Sequence, residues 1–177
     1  MSWILRTLVS SAVSVPLLAA EPALPANPAT PPAAPCDRPE CRQFDFWVGD
    51  WEVRTADGKL AGTNRVDKIL AGCVVFENWS GARGMHGKSF NMYDAGRQLW
   101  HQTWVDDHGT LLTLEGTFHD GEMVLDGQAP ASGGGTLRHR ITWEPLADGQ
   151  VKQHWTTSAD DGQTWQDAFV GFYRRKK

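Results

Sequence analysis

From residue 44 onward, turn residues break the chain at intervals of roughly 8–12 residues, the spacing of a protein built from short strands. Asp57-Gly58, Asp94-Ala95-Gly96, Asp120-Gly121, Asp148-Gly149 and Asp161-Gly162 are the clearest breaks. Asp and Gly accept the positive φ of tight hairpin turns, so successive segments should pair as antiparallel neighbours. Ten segments are separated in this way, at 51–55, 63–70, 73–79, 88–93, 98–105, 111–118, 122–125, 136–143, 151–157 and 164–174. The stretch 127–135 reads as a loose connection. No segment keeps a helical period beyond two turns, and the best helical candidate, 38–46, is short enough to plug one end. The expected fold is all-β: an antiparallel up-and-down meander of about ten strands, closed into a barrel so that no edge is left unpaired, with a short N-terminal helix. A two-sheet sandwich is the alternative.

The first forty residues do not share this pattern. Arg6, the apolar stretch 8–18 and the small residues Ala19-Ala20 read as a signal peptide over 1–20. Its apolar run is shorter than the roughly 20 residues of a membrane span. Residues 21–40 form a Pro/Ala-rich leader, in which the prolines favour extended conformations. The barrel domain is assigned to 41–177. No lipobox precedes Cys36, so the expectation is an exported protein, periplasmic or secreted, without stable membrane insertion. The 17 Lys and Arg against 21 Asp and Glu leave a formal charge of −4, which argues against a nucleic-acid partner. Three cysteines in an oxidising compartment point to one disulfide and one spare thiol. A bridge from Cys36 or from Cys41 to Cys73 would staple the leader to the barrel wall. No His or acidic residue stands at a motif spacing that would make any of the three a catalytic thiol.

The run Arg42-Gln43-Phe44-Asp45-Phe46-Trp47-Val48-Gly49-Asp50-Trp51-Glu52-Val53 resembles the FDFWxGxW opening of a family of secreted bacterial proteins classed as a domain of unknown function. Gly72-Cys73, Glu77-Asn78-Trp79, the segment 100–106, Arg140-Ile141-Thr142-Trp143 and Gly171-Phe172-Tyr173 fit the same pattern. The resemblance covers about 36–175 and implies export and a fold, but no particular reaction. It also implies Cys36–Cys73 as the disulfide, since that family carries a cysteine near position 36 and usually not at 41. The Trp-Gly-Trp opening before a ten-strand meander is similar to the calycins: lipocalins, fatty-acid-binding proteins and nitrobindins. That likeness is one of fold. Ser158-Ala159-Asp160-Asp161-Gly162-Gln163-Thr164-Trp165 resembles the Asp-box hairpin of sialidases, a turn device away from catalytic centres.

Period-two alternation says which side chains share a wall. Glu77 goes with Trp79, Gln102 with Trp100 and Trp104, and Gln153 with Trp155. If the tryptophans face inward, so do Glu77, Gln102 and Gln153. An unpaired buried amide or carboxyl costs several kcal/mol, about 2–7 for a neutral polar group, so a filled core rarely uses them. A barrel of this size can instead leave a cavity where they meet water or ligand. Glu77, Trp79, Gln102, Trp104, Gln153 and Trp155 are therefore candidate pocket residues. Arg140 joins them if Ile141 and Trp143 fill the outer shell, and is solvated otherwise. The competing reading is a filled core in which the glutamines bond neighbouring strands. Trp47 and Trp51 read as core at the closed end.

The six histidines show no metal-ligand spacing, and no metal is expected. Haem is weighed because nitrobindins hold it through a late His. Here the last strand has none, and His154 on the preceding strand faces away from Gln153 and Trp155. No cofactor is assigned, and Gly133-Gly134-Gly135 leads into a strand rather than a helix, unlike a phosphate loop. Two functions stand: an exported barrel binding a small ligand, aromatic or sugar-like, or a cofactor-independent enzyme (lyase, isomerase or hydrolase) using Glu77 as general acid or base. A structural protein with a filled core is the third.

Overall fold

The computed structural model describes residues 36–176. The signal peptide assigned to 1–20 and the leader up to residue 35 lie outside the described residues. Ten strands follow one another: β1 (Gly49–Arg54), β2 (Leu60–Ile69), β3 (Val74–Gly81), β4 (His86–Asp94), β5 (Leu99–Asp106), β6 (Leu111–His119), β7 (Glu122–Pro130), β8 (Thr136–Pro145), β9 (Val151–Ser158) and β10 (Gln166–Arg175). Each pairs antiparallel with its neighbours in sequence, and β1 pairs with β10, so the sheet closes as an up-and-down barrel. The sandwich is excluded. Closure follows from the connections, which are all hairpins. At Asp120-Gly121 both residues take positive φ, 51° and 86°, as a two-residue primed turn requires.

β7 is longer than alternation suggested. It runs to Pro130 through Gly127, which belongs to a strand and not to a loose connection. A Cβ on Gly127 would sit 2.1 Å from the Thr113 carbonyl oxygen, so this glycine lets β6 and β7 approach closely. Only the residues after Pro130 turn.

The N-terminal helix is two 3-10 turns, Pro39–Arg42 and Asp45–Trp47, and it plugs one end of the barrel. Phe44 stacks on Trp47 at 4.9 Å and meets Trp100 and Trp143 edge-on, all four fully or almost fully buried. Polar contacts orient the plug at its rim. Lys68 Nζ pairs with Asp45 at 2.6 Å, the Trp100 indole donates to Gln43, and the Trp51 indole donates to the Trp47 carbonyl at 2.8 Å. The Arg175 guanidinium lies 4.4 Å over the Trp51 ring, joining the last strand to the first. Cys36–Cys73 ties the entry of the plug to the start of β3, and Cys41 is free and buried. A disulfide of this kind points to an oxidising compartment. Among the described residues no helix is long and apolar enough to cross a membrane.

The aromatic plug fills only the end of the barrel where β1 begins and β10 finishes. Trp143 and Tyr173 form its inner surface. Beyond them the lumen is open.

Candidate functional site

A cavity of about 800 Å³ occupies the other end of the barrel. Its mouth is rimmed by residues of the β1–β2, β3–β4 and β5–β6 connections, including Asp57, Lys59, Arg83 and His108. Its floor is Trp143 and Tyr173, and its wall carries Glu77, Trp79, Gln102, Trp104, Gln153 and Trp155. All six side chains that alternation grouped together therefore line one space. The volume lies in the range of small-molecule pockets.

The aromatic wall stays open because glycines lie beneath its rings. A Cβ on Gly87 would fall 2.2 Å from the Trp104 ring, one on Gly62 2.8 Å from Trp79, and one on Gly171 2.6 Å from Phe169. Each missing side chain lets a ring lie flat along the sheet instead of crossing the lumen. Trp79 and Phe169 then meet edge to face at 6.3 Å. The Trp104 indole donates to Asp106, and that of Trp155 donates to His139 Nδ1 at 3.1 Å. His139 is buried, and burial pushes its pKa below the ordinary value, so the imidazole stays neutral with the proton on Nε2.

The polar residues form two sets. On the β2–β5 side, Gln102 Nε2 donates to Asn91 Oδ1 at 2.7 Å. Asn91 Nδ2 donates to Ser89 Oγ and to the Val75 carbonyl, both at 2.9 Å. Ser89 Oγ donates to Glu77 Oε2 at 2.7 Å, and Asn64 Nδ2 to Glu77 Oε1 at 2.6 Å. On the β9–β10 side, the Tyr173 hydroxyl donates to Gln153 Oε1. Burial drives the Glu77 carboxyl up to about 7 from 4.5, against the opposing pull of the bonds from Ser89 and Asn64. Burial, then the nearby Glu77 charge, pushes Tyr173 well above its usual value.

Glu77 and Gln102 are thus both cavity-lining and hydrogen-bonded, as is Gln153. The choice between pocket and bonded core was not exclusive. Alternation missed Asn64, Ser89, Asn91 and Tyr173, which complete the network.

Arg140 does not belong to the cavity, which corrects its candidacy. Ile141 and Trp143 are buried in the interior, so their strand neighbour Arg140 is turned outward. It pairs there with Asp126 at 2.8 Å and lies 4.9 Å over the Trp165 ring. Trp165 ends the Asp-box hairpin, whose bonds are local. Asp160 accepts from Ser158 Oγ, Thr164 N and Thr164 Oγ1, and the Trp165 indole donates to the Gly162 carbonyl. His154 also faces outward, bonded to Asp167.

No protein-family model matches this chain, and no curated protein matches it in sequence.

Proposed function

We propose that this protein is an exported barrel that binds a small, partly aromatic or sugar-like molecule, and that it belongs with the secreted FDFWxGxW proteins its motifs resemble. The observation that carries the reading is the cavity of about 800 Å³, with indole rings on its wall and a carboxyl and two amides at its depth. Indole faces stack a ligand and buried polar groups orient it, the usual division of labour in such sites. The Cys36–Cys73 disulfide supports this reading of export, because such bridges form and persist in oxidising compartments.

Native mass spectrometry of the protein purified from its own cells tests the binding reading. A non-covalent small-molecule adduct is expected, together with uptake of the neutral dye Nile red by the emptied protein. A protein that carries no adduct and takes up no dye overturns it.

One observation favours a second reading, a cofactor-independent enzyme. A cavity carboxyl held near 7 is suited to general acid or base work at neutral pH. It would require the bound molecule to leave chemically changed, and the Glu77→Gln variant to retain it unchanged.

A further inference from the structure

We propose that the ligand carries a protonated amine, and that its ammonium group is held by the Glu77 carboxylate while its apolar part contacts the surrounding indoles. The inference rests on the pocket reading and names the ligand class.

The hydrogen bonds around Glu77 have a direction. Ser89 Oγ accepts from Asn91 Nδ2 and donates to Glu77 Oε2. Asn64 donates to the other oxygen. In this arrangement both carboxyl oxygens accept, which suits the ionised form. The neutral acid that prevails below about pH 7 can turn its own O–H onto the second lone pair of Ser89 Oγ. Among the described residues no cation meets the carboxylate. Its partners are a neutral amide and a neutral hydroxyl, although burying an unpaired charge costs several kcal/mol. A glutamine there would avoid that cost. The unfilled role is that of a cation arriving through the cavity.

The surroundings match this assignment. Trp79, Trp104 and Trp155 line the route to the floor, and indole faces attract cations. Asn64 of β2 and Ser89 of β4 bond Glu77, and Tyr173 of β10 lies near it. Asn91 of β4, Gln102 of β5 and Gln153 of β9 belong to the same hydrogen-bonded sets around the cavity, and none of these groups is positive. His139 of β8 is held neutral. At the mouth, Lys59 is paired with Asp57 at 2.7 Å, and Arg83 and His108 are exposed. Without a cation the carboxyl keeps its proton up to about pH 7. A bound ammonium stabilises the ionised form, so amine affinity rises with pH across that region by linkage.

Three probes share one ring system: tryptamine, the neutral alcohol tryptophol and the anionic indole-3-propionate. Their affinities are measured by calorimetry and by Nile red displacement, on wild type and Glu77→Gln, between pH 5.5 and 8.5. Tryptamine is expected to bind about tenfold or more tighter than tryptophol at pH 8, the equivalent of about 1.4 kcal/mol. That preference should vanish in Glu77→Gln, and in wild type it should weaken toward pH 5.5. If Nile red binds but tryptophol or the anion equals tryptamine, or the preference survives in the variant, the amine assignment falls and the pocket stands. If neither the dye nor any probe binds, both fall.

Discussion

The pH dependence of stability tests the Glu77 environment without any ligand. An acid whose folded pKa is raised binds protons more readily in the folded state, so its contribution is fully present below the unfolded value and is lost as pH rises through the folded one. For Glu77 the window runs from 4.5 to about 7. At about 1.4 kcal/mol for each pKa unit, the folded state should lose on the order of 3 kcal/mol across it. Glutamine keeps the shape of the site and does not titrate. Any other titrating group is common to both proteins and drops out of the difference. Urea unfolding followed by tryptophan fluorescence at pH 5, 6, 7 and 8 gives that difference directly. Relative to Glu77→Gln, the wild type is expected to lose about 2–3 kcal/mol between pH 5 and 8. Parallel profiles for the two proteins would refute a buried, cation-free carboxyl.

Gln102→Leu and Gln153→Leu are each expected to destabilise by about 1–3 kcal/mol, because they orphan Asn91 Oδ1 and the Tyr173 hydroxyl respectively. Equal or improved stability in denaturant would mean that these amides are held for a ligand and not for their neighbours. Trp51→Ala should cost about 3–5 kcal/mol, since it empties a fully buried site, releases the Trp47 carbonyl and removes the surface under Arg175. A thermal midpoint within a degree or two of wild type would contradict that packing. Reducing Cys36–Cys73, which closes a loop of 37 residues, should lower stability by about 2–4 kcal/mol. An unfolding curve unchanged by reductant would show that the plug holds by packing alone.

The strands were legible because their signals are local. An Asp-Gly pair demands a turn wherever it lies, and alternation marks one face whatever packs on it. Gly127 was misread because its reason is tertiary: the closeness of Thr113 on the next strand is invisible from either segment alone. Arg140 was misplaced for a related reason. Alternation separates the two faces of β8 but does not say which is inside, and Trp143 settles that only once it is seen against the plug.

β4 explains why two of the four missed members of the polar network, Ser89 and Asn91, went unnoticed. Its apolar residues Phe90 and Met92 are 47% and 43% exposed, whereas Ser89 and Asn91 are fully buried. The binary pattern that places other strands is inverted here, so burial by hydrophobicity would turn β4 the wrong way round. Pairing restores the answer. Ser89 lies opposite Glu77 on β3, and Asn91 opposite Gln102 on β5, so accepting Glu77 and Gln102 as interior forces both β4 residues inward. A strand that exposes Phe and Met while burying Ser and Asn gives up hydrophobic stabilisation. What it provides is a line of hydrogen bonds ending on one carboxyl beside an open cavity. That exchange of apolar burial for a bonded polar line beside the cavity is the physical observation that most supports the binding proposal.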